Sequence, residues 1–188
     1  MQAAPERLME AENSHKHGNS YWGVDEAMHA AWETEIDLLR QALDASSDQQ
    51  VAEAVLQFLV ARETRRAAHS LSSELIAFER NFEWEEGLAK YVELEIWRQA
   101  FESGTYTPVQ GMQHDPDFKQ YRSFEQRWSQ ELGQMSRQAS REGDTRFYYT
   151  GMAQAMLLDR LLPDWKERVF EHGIWLDSLL AEATRNQE

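Results

Sequence analysis

Apolar residues recur at helical spacing along most of the chain. Trp32, Ile36, Leu39 and Leu43 stand four, three and four apart. That stripe predicts one face of a helix beginning near Val24, with Asp25 placed to cap it. The polar run ALDASSDQQ ends it, and Ser46 or Ser47 can cap the next helix. The second stripe is Val51, Val55, Phe58 and Leu59, closed by the charge of Arg62. A third, long helix is predicted from about Ser70 to Phe101, with Leu71, Leu75, Phe78, Phe82, Ala89 and Ile96 on one face. The segment ESGTYTPVQGMQHDP follows, with two prolines and two glycines. It predicts a loop of about fifteen residues, a length that in compact domains is often functional or mobile. Residues 117–141 read as a very polar fourth helix that keeps Phe118, Tyr121, Phe124, Trp128, Leu132 and Met135 at three-four spacing. The turn REGDT precedes a fifth helix at 146–161. Leu162-Pro163-Asp164 breaks the chain, and Trp165 opens a last helix to about Ala183. Residues 1–20 lack such a stripe and read as a flexible polar arm, with a short helical piece near 5–12. There is no internal repeat and no low-complexity tract. The prediction is one all-α domain of five or six main helices over residues 21–188, preceded by the arm.

Composition narrows the partners. The chain has 188 residues, one domain by length, and a chain of this size buries roughly 70% of its unfolded surface. Seven Trp and eight Phe favour folding despite the charge. Thirty-three acidic against nineteen basic residues give a net charge of −14. Such a surface repels a phosphate backbone, and Arg65-Arg66, the longest basic cluster, is too short to offset it, so no nucleic-acid partner is expected. The absence of cysteine excludes disulfides, thiolate-held metals and a thiol nucleophile. No apolar run approaches the ~20 residues of a membrane span, and no membrane partner is expected. The first residues lack the apolar core of a signal peptide, which makes a cytoplasmic location the default expectation.

Candidate chemistry concentrates in the third predicted helix, at Glu79-Arg80-Asn81-Phe82-Glu83-Trp84-Glu85-Glu86-Gly87-Leu88-Ala89-Lys90-Tyr91. At ~100° per residue, Glu85 falls about 40° to one side of the apolar direction and Glu86 about 60° to the other, with Glu93 also within roughly 40°. A carboxylate on a core face must be paired, hydrogen-bonded, protonated or metal-bound. The ordinary reading is an ion pair with Arg62, Arg65, Arg66 or Arg80. Gly87 costs about 1 kcal/mol of helix propensity relative to Ala, which a helix accepts where something approaches its backbone closely. A second constellation is Glu26-Ala27-Met28-His29 with Glu33, which share a helix face. Di-iron bundles use two such ExxH pairs with two further glutamates. The only other ExxH, Glu12 to His15, lies in the polar arm. His15-Lys16-His17 offers two imidazoles on a flexible segment, whereas His69, His114 and His172 stand alone. Arg146-Phe147-Tyr148-Tyr149-Thr150-Gly151 opens the fifth helix, either as ordinary packing or with a tyrosine hydroxyl at a cleft. Asp159 is the acid within the apolar run Leu157 to Leu161, read as a buried pair with an arginine or a capping acceptor. No phosphate loop, nucleophile elbow or Walker lysine is present.

Glu85-Glu86-Gly87-Leu88-Ala89-Lys90-Tyr91 resembles the (N/E)EGLAxY element of gluzincin-type zinc metallopeptidases. In that family the glutamate before the glycine is the third zinc ligand, and a preceding helix carries HExxH. The resemblance implies that Glu86 is that ligand, with Glu85 beside it. Phe147-Tyr148-Tyr149-Thr150-Gly151, followed by the run from Leu157 to Lys166, looks like the downstream helices of bacterial members, where a tyrosine near the glycine lines the site. That implies cleft roles for Tyr148 or Tyr149. The resemblance spans roughly residues 24–183. HExxH itself is absent, and a lone glutamate cannot hold catalytic zinc, which needs three protein ligands. The chain then reads as a piece of a longer peptidase or as a degenerate relative, inactive alone. Zinc would belong to a full-length or ancestral form and would not be held tightly by this chain.

Three readings follow. The first is an inactive gluzincin-like helical domain, with Glu86 on the floor of a groove bordered by Tyr148 or Tyr149 and the 103–116 loop. The second is a non-enzymatic interaction module for a peptide, a protein or a second copy, with Trp22, Trp84 and Trp97 as groove candidates. The third is a metal–carboxylate site using Glu26, His29 and Glu33 with Glu83 or Glu86.

Overall fold

The computed structural model describes residues 3–104, 109–117, 123–141 and 143–185. Among them the chain is all-α, with no strand, and no helix is long and apolar enough to cross a membrane. The elements are α1 (Ala3–Ser14), α2 (Gly18–Asp25), α3 (His29–Asp44), α4 (Asp48–Ala68), α5 (Ser73–Phe82), α6 (Leu88–Ser103), α7 (Phe124–Met135), α8 (Thr145–Leu161), α9 (Trp165–Arg168) and α10 (Leu176–Arg185). The predicted main helices are recovered as α3, α4, the α5–α6 pair, α7, α8 and α10.

Local chemistry sets the helix starts. Ser47 caps α4 in a capping box with Gln50, satisfying two orphan N–H groups reciprocally. Ser72 and Ser123 cap α5 and α7 through Leu75 N and Gln126 N. Ser70 adopts a left-handed conformation (φ 51°) and separates α4 from α5. Gly104 ends α6 in the left-handed cap (φ 59°) that glycine tolerates best.

α8 is the central element and packs against α3, α4, α5, α6 and α10. Twelve of its seventeen residues are buried, as expected of a helix surrounded by others. Trp32, Ile36 and Leu39 of α3 and Val51, Val55 and Phe58 of α4 meet it on one side. Phe78, Phe82, Tyr91 and Leu94 contribute from α5 and α6, and Leu176, Leu179, Leu180 and Ala183 from α10.

Four predicted boundaries change. The arm is helical: α1, a short 3-10 turn and α2 run nearly without interruption from Ala3 to Asp25, and Arg7, Ala11, Ser14 and Tyr21 are buried. Its contacts with the body go through one arginine, small side chains and a single aromatic, Tyr21, which leave no apolar stripe to read. The fourth predicted helix is confined to Phe124–Met135, and Phe118 and Tyr121 lie outside the described residues. The long loop carries a 3-10 turn at Met112–His114, and its residues 105–108 lie outside the described residues. The last predicted helix splits into α9 and α10, with Gly173 at φ 76° between them.

Candidate functional site

Between α5 and α6 the chain forms a π-helical turn, Glu83–Gly87. A π turn closes i→i+5 bonds and so inserts one extra residue; such turns are frequent at functional sites. Here it faces two glycines. A Cβ on Gly87 would lie 2.7 Å from Gly151 C, and one on Gly151 would lie 2.8 Å from Gly87 Cα and still closer to Glu83 O. The backbones of the π turn and α8 therefore touch, which explains Gly87.

The extra residue rotates everything after it. Up to Phe82 the predicted apolar face is correct. Beyond the turn, Tyr91 and Leu94 face the core, while Ala89 and Ile96 face solvent. The same rotation changes which acids are buried. Glu85, Glu86 and Glu93, read from a straight helix as core-facing, lie at the half-buried or exposed surface. Glu79 and Glu83 are interior.

Those two belong to a buried charge cluster. Arg62 forks onto Glu83 through Nη1 (2.7 Å) and Nη2 (2.5 Å), and its Nε donates to Glu35 at 3.2 Å. Thr150 Oγ1 donates to the same Glu83 carboxylate at 2.7 Å. Arg65 bridges Glu35 and Glu79, both at 2.5 Å. Arg66 donates to Glu79 at 2.9 Å and to Asp177 at 3.1 Å, and Arg80 Nε also reaches Asp177 at 2.9 Å. Tyr21 hydroxyl completes the shell of Glu79 at 2.7 Å. Four arginines thus face four carboxylates, and neutrality makes the burial tolerable. Burial alone would raise the carboxyl of Glu79, but the nearby Arg65 and Arg66 outweigh it and hold it well below the usual carboxylate range. Asp177 is likewise held down, by Arg66, Arg80 and Arg62 against its own burial. The four arginines named from sequence are the partners; their carboxylates are Glu35, Glu79, Glu83 and Asp177.

The outer face of the π turn carries different chemistry. Glu85 Oε2 lies 3.1 Å from His15 Nε2. Tyr148 lies beside Glu86, and hydrogen bonding toward that carboxylate, followed by burial and the carboxylate's charge, pushes the phenol up to about 12. Tyr149 turns elsewhere, toward Glu131, and burial with that carboxylate likewise pushes it to about 12. Successive residues on α8 point about 100° apart, so only Tyr148 meets Glu86.

The remaining candidates resolve as structural pairs. Glu93 meets Lys90 at 3.0 Å and Arg127 at 2.7 Å. Asp159 is a partly exposed acceptor for Tyr91 hydroxyl (2.7 Å) and Trp165 Nε1 (3.0 Å), and pairs with Lys166 rather than an arginine. Glu26 and Glu33 are exposed, and His29 faces Asp25 at 3.4 Å. A 3-10 turn at Glu26–Met28 breaks the helical phase that would align Glu26, His29 and Glu33, and Glu83 is committed to Arg62. The predicted metal–carboxylate constellation therefore does not assemble. Among the described residues no group of three or more His, Asp or Glu is arranged to hold a metal ion. Trp84 is buried with its N–H on Val169 O (2.9 Å), and Trp22 packs edge-on to Tyr21 and Phe78. Trp97 is half-buried beneath Arg127. These three tryptophans do not line one exposed groove. Compared with known proteins, the chain matches no family model, no curated protein and no solved structure.

Proposed function

We propose that this chain is a helical domain carrying the third-ligand half of a gluzincin-type centre, and that it does not hydrolyse peptides by itself. The observation that supports this reading is the half-buried position of Glu86 on the outer face of the π turn, where its carboxylate acts on the neighbouring Tyr148 phenol. Glu83 is consumed by Arg62 and Glu85 by His15, whereas Glu86 meets a neutral phenol that can yield to another ligand. The donor set does not fit zinc, because three protein ligands are needed and among the described residues no three donors are arranged to hold a metal ion. No chemical step is therefore assigned to a metal. Two results are expected. Purified protein with added zinc does not turn over a general peptide substrate. In Glu86→Gln, the Tyr148 phenol moves from about 12 toward its ordinary ~10, followed by ultraviolet absorbance through alkaline pH. Turnover that is abolished by chelator and by Glu86→Ala overturns the first result. An unchanged tyrosine titration removes the Glu86–Tyr148 pair and the reading with it.

A second reading, a protein-interaction module, is favoured by the outward apolar stripe of α6. Val92 is 50% and Ile96 63% exposed, and Ala89 shares their face. Lys90, Glu93, Glu95 and Arg98 flank this stripe with both signs of charge, which is compatible with the self-complementary patch of a two-fold interface. On this reading the partner is a second copy. Light scattering should give a mass that rises with concentration in the wild type and stays monomeric in Ile96→Glu. A strict monomer at all concentrations excludes it.

A further inference from the structure

Arg7 leaves more of its guanidinium unmet than any other buried arginine among the described residues; Arg66 leaves one nitrogen, Nη2. Arg7 has no solvent exposure, yet its Nε and Nη2 meet no acceptor. Arg146 shows what a fully satisfied guanidinium looks like in this fold. It donates to both oxygens of Asp25 and to the carbonyls of Gln138, Ala139 and Arg141. Of the Arg7 nitrogens, Nη1 is engaged, by Asn81 Oδ1 at 2.8 Å and by Glu10 of its own helix at 3.0 Å. What surrounds it is aromatic: its guanidinium carbon lies 3.9 Å from the Trp175 ring centre and 4.8 Å from that of Trp84. Both distances are within the range of cation–π attraction.

The walls of this slot are fixed without Arg7. Trp84 is held by its N–H bond to Val169 O and by Phe170 edge-on at 5.9 Å. Trp175 has Arg80 at 5.8 Å, itself anchored on Asp177. The helix that delivers Arg7 is lightly attached: from Pro5 to Ser14, Arg7, Ala11 and Ser14 are the buried residues. A buried guanidinium with two idle donors is a costly anchor, so α1 holds its place less firmly than the rest of the core.

We propose that Trp84, Trp175 and Asn81 form a guanidinium-binding slot that Arg7 fills in cis, and that an arginine side chain of a peptide partner occupies it when α1 lifts away. The net charge of −14 attracts such a basic partner. Because Arg7 competes from within the chain, the slot is only fractionally open in the wild type, and apparent affinity falls by that fraction. The slot uses no residue of the Glu86–Tyr148 pair or of the α6 stripe and stands independently of both readings above.

The test uses the full chain and N-acetyl-arginine amide as probe, followed by tryptophan fluorescence. Arg7→Ala should bind it saturably, with wild type weaker by about tenfold or more and Arg7→Ala/Trp175→Ala not binding. The lysine analogue should bind less well, because it lacks the planar stacking surface. Absence of saturable binding to folded Arg7→Ala, or binding unaffected by Trp175→Ala, overturns the proposal. Should Arg7→Ala fail to fold, the wild type decides: excess probe should raise amide exchange in residues 5–14 and leave α8 unchanged. Unchanged exchange in α1 overturns the proposal.

Discussion

Gly151→Ala is expected to destabilise the domain by about 3 kcal/mol or more, the upper end for overpacking. The added methyl meets backbone on the π turn, at Gly87 Cα and Glu83 O. Backbone cannot step aside as a flexible side chain can. Intrinsic propensity works in the other direction, since alanine is worth about 1 kcal/mol more than glycine in a helix interior. Any net loss therefore measures the close approach. Gly23 in α2 is the control: a Cβ there meets nothing within 4 Å, so Gly23→Ala should leave stability unchanged or raise it by up to about 1 kcal/mol. Urea unfolding of the two variants provides the comparison. A Gly151→Ala midpoint equal to that of Gly23→Ala would contradict direct backbone contact between α8 and the π turn.

Arg65→Met should cost about 3–5 kcal/mol, the range for breaking a buried ion pair by removing one partner. Both Glu35 and Glu79 lose a donor at 2.5 Å. The pH dependence gives a sharper signature. In the wild type the folded pKa values of Glu79 and Asp177 are depressed. Their contribution is therefore fully present above the unfolded carboxylate value of ~4.3 and is lost as pH falls through the folded values. Without Arg65, the strongest attraction holding Glu79 down is gone and burial pushes its folded pKa upward. A raised folded pKa reverses the sign: that contribution is present at low pH and lost as pH rises. The deficit of Arg65→Met relative to wild type should shrink on going from about pH 7 to about pH 5. A deficit that is constant or grows over that interval would show that Glu79 stays ionised without Arg65.

How much of this was legible in the sequence depended on whether helices stay regular. The stripes of α3 and α4 and the break at Pro163 could be read because each sits on an unbroken α-helix or at its end. The charge cluster was half legible. Val51, Val55, Phe58, Arg62 and Arg65 continue one four-three-four-three spacing, so the arginines lie where the next core residues of α4 would be. Glu35 sits between Trp32 and Ile36 on the buried face of α3 in the same way. Treating Arg62 as the end of a stripe hid both signals. The acids of the third predicted helix were misassigned because one inserted residue rotates α6 relative to α5, and no local spacing announces a π turn. Gly87 marked its place but not its phase. The partner Gly151 lies 64 residues away (151 − 87), beyond any periodicity argument. Arg7 could not be read either, since its slot is assembled from Trp84, Trp175 and Asn81, which are remote in sequence.

The π turn also makes the backbone winding of the α5–α6 segment a structural determinant in its own right. Deleting one residue between Glu83 and Gly87 would let the two helices join as one continuous α-helix, and local propensity would favour it. It would leave α6 in its present phase, because the residue removed is the one the π turn adds; straightening the turn at constant length would instead swing α6 about its axis by roughly 100°, turning Ala89 and Ile96 toward α8 and carrying Tyr91 and Leu94 away from it. The segment thus contains two apolar stripes in sequence, and the winding of a five-residue turn, π or α, selects between them. Point substitutions on either stripe are tolerated according to burial. A single-codon loss within the turn would be absorbed by a regular helix, whereas a regular helix at full length would exchange the inside of α6 for its outside.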